Sequence, residues 1–117
     1  EMVATAAVRL PQPGPIQTDD APAAVGPYAQ GIVVEDGTVY ASGCIGLDPA
    51  TGEFVMEGVE EQARQVLKNL WVILQAGGVA AKGDIVKTTI LLEDIADFGL
   101  VNGVYQEFFE GGQVPAR

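Results

Sequence analysis

The chain has 117 residues, of which 48% are hydrophobic, a length and composition typical of one compact domain with a single core. Its 16 acidic residues outnumber 6 basic ones and give a net charge of -10, the wrong sign for binding nucleic acid or an anionic membrane surface. The sequence has no histidine, which excludes Ser-His-Asp triads, Cys-His dyads and HExxH zinc sites, and its lone Cys44 cannot form an intramolecular disulfide.

The N-terminal part of the chain is predicted to be extended. Prolines cluster between Pro11 and Pro15, where neither a helix nor an inner strand could continue. We therefore expect an extended N-terminal arm over residues 1–16 and one domain over residues 17–117. No apolar run reaches the ~18 to 20 residues that a membrane span requires, so we expect a soluble protein.

A β-hairpin is predicted between Gly31 and Gly43. Two stretches rich in β-branched residues flank Asp36-Gly37, and Asp-Gly is a strong signal for a hairpin turn. The stretch from Leu47 to Gly52 has a turn residue at nearly every position. We expect it to form a surface loop.

Two helices and a further strand are predicted in the second half of the chain. Apolar residues recur every three or four positions from Val59 to Ala76, and Gly77-Gly78 is expected to end this helix. The stretch from Asp84 to Glu93 is rich in branched residues and predicts a strand. A second helix is predicted from about Asp97 to Glu110.

These elements cannot cover a sheet on both faces. Three strands with two helices on one face leave the opposite face and an edge exposed, which is costly unless something covers them. The pattern therefore predicts missing strands, oligomerisation, or both.

Two motifs resemble those of the RidA/YjgF family of small proteins. The stretch Ala21-Pro-Ala-Ala-Val-Gly-Pro-Tyr-Ala-Gln30 is similar to the family's APxxxGPYSQ segment. The stretch Tyr40-Ala-Ser-Gly-Cys-Ile-Gly-Leu-Asp-Pro-Ala-Thr-Gly52 resembles its SGQIPxDPxTG segment. The likeness continues in order through residues 62–70, 86–98, 101–105, 108–109 and 115–117.

The resemblance implies an α+β fold of the chorismate-mutase-like kind, a mixed β-sheet with two helices packed on one face. It implies a homotrimer with sites in the clefts between subunits. The implied activity is that of a 2-iminobutanoate/2-iminopropanoate deaminase, a hydrolase that converts enamine and imine intermediates of PLP-dependent dehydratases to 2-keto acids and ammonia. Its partners would be small 2-imino and enamino acids, and we expect no cofactor, metal, nucleic acid or membrane.

Matching the motifs residue by residue implies three catalytic residues, Arg117, Tyr28 and Asn102. Arg117 would bind the substrate carboxylate through two parallel hydrogen bonds, a task suited to a planar guanidinium. Tyr28 would supply an aromatic wall and a hydroxyl, and Asn102 would reach the site from the second helix. Substrate binding would involve Arg117 and Tyr28. It would also involve Cys44 and Gly43, whose backbone amide would face the ligand.

Each of these residues also has a purely structural interpretation. Arg117 can be a chain-end arginine in solvent, Tyr28 a half-buried tyrosine beside a proline, Asn102 a solvated helix residue and Gly43 a simple strand end. Cys44 stands where the family usually has glutamine. We interpret it as a small buried thiol rather than a reactive one.

The chain departs from the family pattern at both ends. Family members continue beyond the Pro-Ala-Arg segment through further strands, one of which carries a glutamate that helps to activate water. Residues Glu1 to Ala7 are similar to the family's closing strand, Glu-x-Ile-Ala. The chain is a fragment, or this head supplies the last strand, or the head remains from a cleaved transit segment. We favour the transit segment. We expect a soluble compartment, either cytoplasmic or organellar (chloroplast or mitochondrial).

Two other function classes are alternatives to the deaminase. One is a non-catalytic ligand-binding or chaperone-like trimer that uses the same clefts. The other is a ribonuclease, an activity reported for relatives. The net charge of -10 and the absence of histidine weigh against the ribonuclease.

Overall fold

The computed structural model describes residues 12–117. These residues form three strands followed by two α-helices, and the α+β class predicted from the sequence is confirmed. The elements are β1 (Gly14–Ile16), β2 (Gly31–Val33), β3 (Val39–Ala41), α1 (Val59–Ala76) and α2 (Phe98–Phe108). Two short 3-10 turns, Lys82–Asp84 and Ile95–Asp97, lie between the helices.

The predicted β-hairpin is confirmed. Strands β2 and β3 pair antiparallel, with Ile32 opposite Tyr40. Gly37 has a φ of 88°, a left-handed conformation that glycine adopts without strain. The Oδ1 atom of Asp36 accepts a hydrogen bond of 2.8 Å from the backbone N–H of Thr38, which closes the turn.

The third strand of the sheet is β1, which the sequence analysis assigned to the extended arm. It pairs antiparallel with β2, with Ile16 opposite Gly31. Gly31 makes this pairing possible because a Cβ there would lie 2.9 Å from the carbonyl oxygen of Tyr40 and 3.0 Å from Cδ1 of Ile16. Within residues 12–117 the sheet has the order β1-β2-β3, and both strand pairs are antiparallel. The resemblance had implied a mixed sheet. The predicted role of residues 1–7 as a displaced strand lies outside the described residues.

Helix α1 has the bounds predicted from its apolar periodicity. Gly78 follows it with a φ of 98°, and its N–H donates to the carbonyl of Gln75. The N–H of Val79 donates to the carbonyl of Leu74 at 3.0 Å. These two bonds form a Schellman motif, which explains why the helix ends at the glycine pair.

The helix α1 connects two separate clusters of buried side chains. The sheet-side core consists of Ile16, Ala21, Val33 and Ile73. The helix-side core consists of Leu67, Val104, Tyr105 and Phe109, with Ile85 and Ile90 packed against it. Helix α2 packs on α1, and within residues 12–117 it contributes no buried residue to the sheet-side core.

The strand predicted from Asp84 to Glu93 does not form. Within residues 12–117 this segment makes one isolated parallel bridge, between Lys87 and Ala116, with hydrogen bonds from the N–H of Thr88 to the carbonyl of Ala116 (2.9 Å) and from the N–H of Ala116 to the carbonyl of Val86 (3.1 Å). Ile85 and Ile90 both face the helix-side core although an odd separation places them on opposite faces of a regular strand. The branched composition was therefore misleading, because among residues 12–117 no strand pairs with this segment along its length.

The outer face of the sheet is apolar and open to solvent in the single chain. Ile32 and its cross-strand partner Tyr40 are 40% and 64% exposed. This agrees with the prediction that the helices leave one sheet face uncovered. Across the described part of the chain, no helix combines the length and the apolar character that crossing a bilayer demands.

Candidate functional site

Three of the predicted site residues line one small cavity. Tyr28, Gly43 and Cys44 surround it at the point where β3 ends. Its volume is about 40 Å³, which is far below the size of a pocket that encloses a small-molecule ligand. We call Tyr28, Gly43 and Cys44 the cavity group.

The ring of Tyr28 folds back over the segment that precedes it. The hydroxyl oxygen of Tyr28 accepts a hydrogen bond of 3.3 Å from the backbone N–H of Val25. The backbone N–H of Tyr28 donates to the carbonyl of Gly26. The phenolic proton therefore stays available for donation. With the side chain half exposed, Tyr28 can offer both an aromatic surface and a donor to a ligand.

Cys44 is half buried, and its Sγ lies 3.6 Å from the carbonyl oxygen of Ser42. Burial raises the pKa of the Cys44 thiol, because desolvation disfavours the charged thiolate. Such a group is a weak nucleophile at neutral pH. The environment suits the small, unreactive thiol expected from the sequence.

Arg117 lies against α2 and is not among the residues that line the cavity. Its guanidinium carbon is 5.0 Å from the ring centroid of Tyr105 and 5.5 Å from that of Phe98, within the range of cation–π interactions. The bridge of the preceding Ala116 to Lys87 fixes the backbone next to it. Among residues 12–117, no carboxylate side chain forms a salt bridge with Arg117. The exposed guanidinium thus keeps its donors available to an anionic ligand.

Asn102 shares the face of α2 on which Arg117 rests. It follows Phe98 by four residues and precedes Tyr105 by three, spacings that bring side chains to one side of a helix. Asn102 is half buried. We call Asn102 and Arg117 the α2 group.

The predicted site residues therefore form two groups and not one. In the described residues, no side-chain hydrogen bond or ring contact connects the cavity group with the α2 group. Each group is partly open to solvent. Within residues 12–117, no cluster of three or more histidine, cysteine or carboxylate side chains is placed to hold a metal ion.

Two polar residues that the sequence analysis did not assign to the site also shape the cavity. Gln30 is buried, accepts a hydrogen bond from the N–H of Thr18, and donates to the carbonyls of Thr18 and Pro22. Ser42 donates from its hydroxyl to the carbonyl of Ala29 at 2.6 Å. Both lie inside the motifs that carry the family resemblance, which was the signal available in the sequence.

A third residue missed at the cavity is Asn69 of α1. It lies three residues after Val66 and four before Ile73, so the helical periodicity places it on the apolar face. A polar residue at such a position signals a buried hydrogen-bonded side chain. The structure buries Asn69 and places it in the cavity wall.

Comparisons with known proteins agree with the motif resemblance. The sequence model of the family described as Endoribonuclease L-PSP matches residues 18–117. A mouse protein named 2-iminobutanoate/2-iminopropanoate deaminase is 52% identical over 102 residues, which cover 87% of this chain and 73% of the relative. An Arabidopsis thaliana protein named Reactive Intermediate Deaminase A, chloroplastic, is 50% identical over 102 residues, which cover 87% of this chain and 53% of the relative.

A solved structure extends the likeness to the fold. The crystal structure of YyfA from Yersinia pestis, described as a protein of unknown function of the conserved Rid protein family, superposes with a TM-score of 0.84 at 43% sequence identity. The alignment covers 91% of this chain and 82% of the Yersinia chain. The sequence match, the shared fold and the two motifs together establish that this chain belongs to the RidA/YjgF family, the family whose sequence model is described as Endoribonuclease L-PSP.

Proposed function

We propose that this protein is a 2-iminobutanoate/2-iminopropanoate deaminase, which hydrolyses reactive enamine and imine intermediates to 2-keto acids and ammonia. The names of the mouse and Arabidopsis relatives support this assignment. The observation that carries it is the state of Arg117, an exposed guanidinium stacked on two aromatic rings with no salt-bridge partner in residues 12–117. Such a group suits a small planar carboxylate.

In this proposal Arg117 binds the substrate carboxylate through two parallel N–H to O bonds. The rings of Phe98 and Tyr105 limit the movement of the guanidinium, so less conformational freedom is lost when the substrate binds. Asn102 offers an amide on the same helix face. Tyr28 and the backbone amide of Gly43 supply further donors from the cavity group.

The chemistry needs orientation more than a strong catalytic group. An enamine becomes an imine when its C3 takes a proton and its nitrogen loses one. Water then adds to C2 while the nitrogen takes a proton, and the resulting carbinolamine releases ammonia as its hydroxyl loses a proton and the C2–N bond breaks. Because no electrons are transferred and no covalent enzyme intermediate is needed, a fixed carboxylate and well-placed donors can supply the acceleration. This fits a chain without histidine.

We also propose a chorismate-mutase-like homotrimer with a site in each cleft between subunits. Two features of the single chain support it. Within residues 12–117 no side-chain hydrogen bond or ring contact joins the cavity group to the α2 group, and the cavity alone is too small for a substrate. The apolar outer sheet face, with Ile32 and Tyr40, needs a cover that a closed symmetric assembly provides. Light scattering tests this proposal, since a monomer mass would contradict it.

A coupled assay tests the proposed activity. A threonine dehydratase generates 2-aminocrotonate and 2-iminobutanoate, and semicarbazide traps the imine that remains. An active deaminase removes the imine and lowers the rate of semicarbazone formation, and Arg117→Ala serves as the control. An unchanged trapping rate with an intact assembly would instead support a non-catalytic ligand-binding or chaperone-like protein.

The description of the matching family model also names an endoribonuclease. A net charge of -10 repels the phosphate backbone, and no histidine is present to act as general acid or base. We therefore do not favour RNA as a substrate, and incubation with a labelled RNA gives the direct check.

We propose a cytoplasmic or organellar compartment, the latter supported by the chloroplastic name of the Arabidopsis relative.

A further inference from the structure

Asn69 is a polar side chain at one of the most buried positions in the described part of the protein. It is only 2% exposed, although it lies in the middle of the amphipathic helix α1. Burying an amide costs free energy unless its hydrogen-bonding groups find partners. A buried Asn69 should therefore have hydrogen-bond partners.

The side chain of Asn69 makes three hydrogen bonds. Its Nδ2 atom donates to the carbonyl oxygens of Leu47 at 2.8 Å and Ile45 at 3.2 Å. Its Oδ1 atom accepts from Nε2 of Gln65, one helical turn earlier, at 2.8 Å. The bond from Gln65 fixes the direction of the amide, so that both donors point at the loop that follows β3.

The same loop is packed closely on the backbone of α1. A Cβ at Gly46 would lie 3.3 Å from the Cα and the carbonyl oxygen of Gln62, so only glycine fits there without displacement. The carbonyl of Gly46 accepts a hydrogen bond of 2.9 Å from the N–H of Val55. Three successive carbonyls, those of residues 45, 46 and 47, are therefore all bound, two of them by Asn69.

This loop is continuous with the cavity group. Ile45 comes two residues after Gly43, and both line the cavity together with Asn69 itself. We propose that Asn69 is a positioning residue of the site, which holds the carbonyls of Ile45 and Leu47 and thereby fixes the direction of the Gly43 amide. This inference rests on the proposed function, because it assumes that the Gly43 amide meets the substrate.

The test separates a positioning role from a merely stabilising one. Asn69→Leu has a similar volume but no donor, and the protein is assayed with the dehydratase system at a temperature where circular dichroism shows it folded. Loss of a fixed binding contact should raise KM about tenfold and leave kcat within about twofold. A stabilising role alone would lower the melting temperature and leave KM and kcat of the folded variant unchanged, which would overturn the proposal.

Lys82→Met is the matched control. Lys82 donates to the carbonyl of Phe108 at 3.1 Å, so it also binds a backbone carbonyl. Both residues are distant in sequence from the cavity group. It should lower stability with KM unchanged. If Asn69→Leu does not fold, Gln65→Met takes its place. That variant frees the Asn69 amide to rotate, and a rise in KM of about threefold supports the proposal, whereas an unchanged KM overturns it.

Hydrogen exchange makes this inference separable from the proposed function. In Asn69→Leu, or in Gln65→Met if the first does not fold, the N–H groups of Leu47 and Val55, which donate to the carbonyls of Ile45 and Gly46, should exchange at least about tenfold faster. The amides of the β2–β3 hairpin should keep their rates. A parent protein without deaminase activity would contradict the proposed function only, and the exchange rates would then decide whether Asn69 holds the loop. Unchanged exchange of the Leu47 and Val55 amides would refute that role.

Discussion

The hydroxyl groups of Thr88 and Tyr105 lie 2.6 Å apart, and the ring of Tyr105 lies beneath the guanidinium of Arg117. The pair connects the segment after the first 3-10 turn with the buried face of α2. Since Tyr105 is buried, its ring cannot turn away from Arg117 without breaking this bond. The position of Arg117 therefore depends on a residue that need not touch the substrate.

Tyr105→Phe should separate the role of the ring from that of the hydroxyl. The variant keeps the aromatic face under Arg117 but leaves the Thr88 hydroxyl without its partner, so the free energy of unfolding should fall by ~1 kcal/mol. Urea denaturation measures this, and KM should stay within about twofold of the parent value. Tyr105→Leu removes the ring as well, and its KM should be higher than that of Tyr105→Phe. Equal KM values in the two variants would show that the ring does not orient Arg117.

Arg117 is the residue on which the proposed activity depends most directly. Arg117→Lys keeps the charge but replaces a planar fork by a point charge, so one of two parallel bonds is lost and the substrate can pivot. The value of kcat/KM should fall at least about tenfold for lysine and further for alanine. The melting temperature should change little, because the side chain is exposed. Near-parental activity in Arg117→Ala would rule out the proposed site.

The elements that were predicted correctly are those set by local sequence. The bounds of α1 follow from a repeat of three and four residues and a glycine pair at its end, and the hairpin follows from Asp36-Gly37. Strand β1 was missed because it is three residues long, contains Pro15 and depends on pairing with a distant strand. The segment from Asp84 to Glu93 was wrongly predicted to be a strand, because branched side chains favour a strand only where other strands pair with it.

The residues of the candidate site could be proposed from the sequence, but their arrangement could not. Motif matching selected Tyr28 and Arg117, but periodicity says nothing about the separation between β3 and α2, which is a property of the packed chain. Gln30 and Asn69 were missed because polar residues are mostly exposed, although the motif around Gln30 and the apolar helix face around Asn69 were signals of burial. Their hydrogen bonds to distant carbonyls are long-range contacts that no local pattern encodes.

The thiol of Cys44 should react slowly with iodoacetamide at neutral pH. Burial raises the pKa of this thiol, so the thiolate fraction is smaller in the folded protein than in the unfolded chain. The alkylation rate should rise with pH, with its midpoint at a higher pH than that measured in urea. Cys44 is the only cysteine, so mass spectrometry of the intact protein follows it directly. Identical pH profiles with and without urea would contradict the predicted shift.

Helix α1 offers a matched pair of core substitutions. Ile73 is 4% exposed in the sheet-side core, whereas Leu70, three residues earlier, is only half buried. Ile73→Ala should lower the free energy of unfolding by ~2 to 5 kcal/mol, the usual cost of a large cavity, and Leu70→Ala should cost clearly less. Urea denaturation of both variants provides the measurement. The reverse order would mean that another part of the protein covers Leu70.

The separation of the two site groups predicts that inactive variants can complement each other. Tyr28→Ala damages the cavity group, Arg117→Ala damages the α2 group, and each should be nearly inactive alone. If one subunit supplies the cavity group and its neighbour the α2 group, random trimers from an equal mixture contain both intact groups in about a quarter of their sites. Co-refolding the two variants should therefore restore about a quarter of the parent rate, while each variant refolded alone stays inactive. No recovery in an assembled mixture would mean that a single chain supplies both groups, and the cleft between subunits would not be the site.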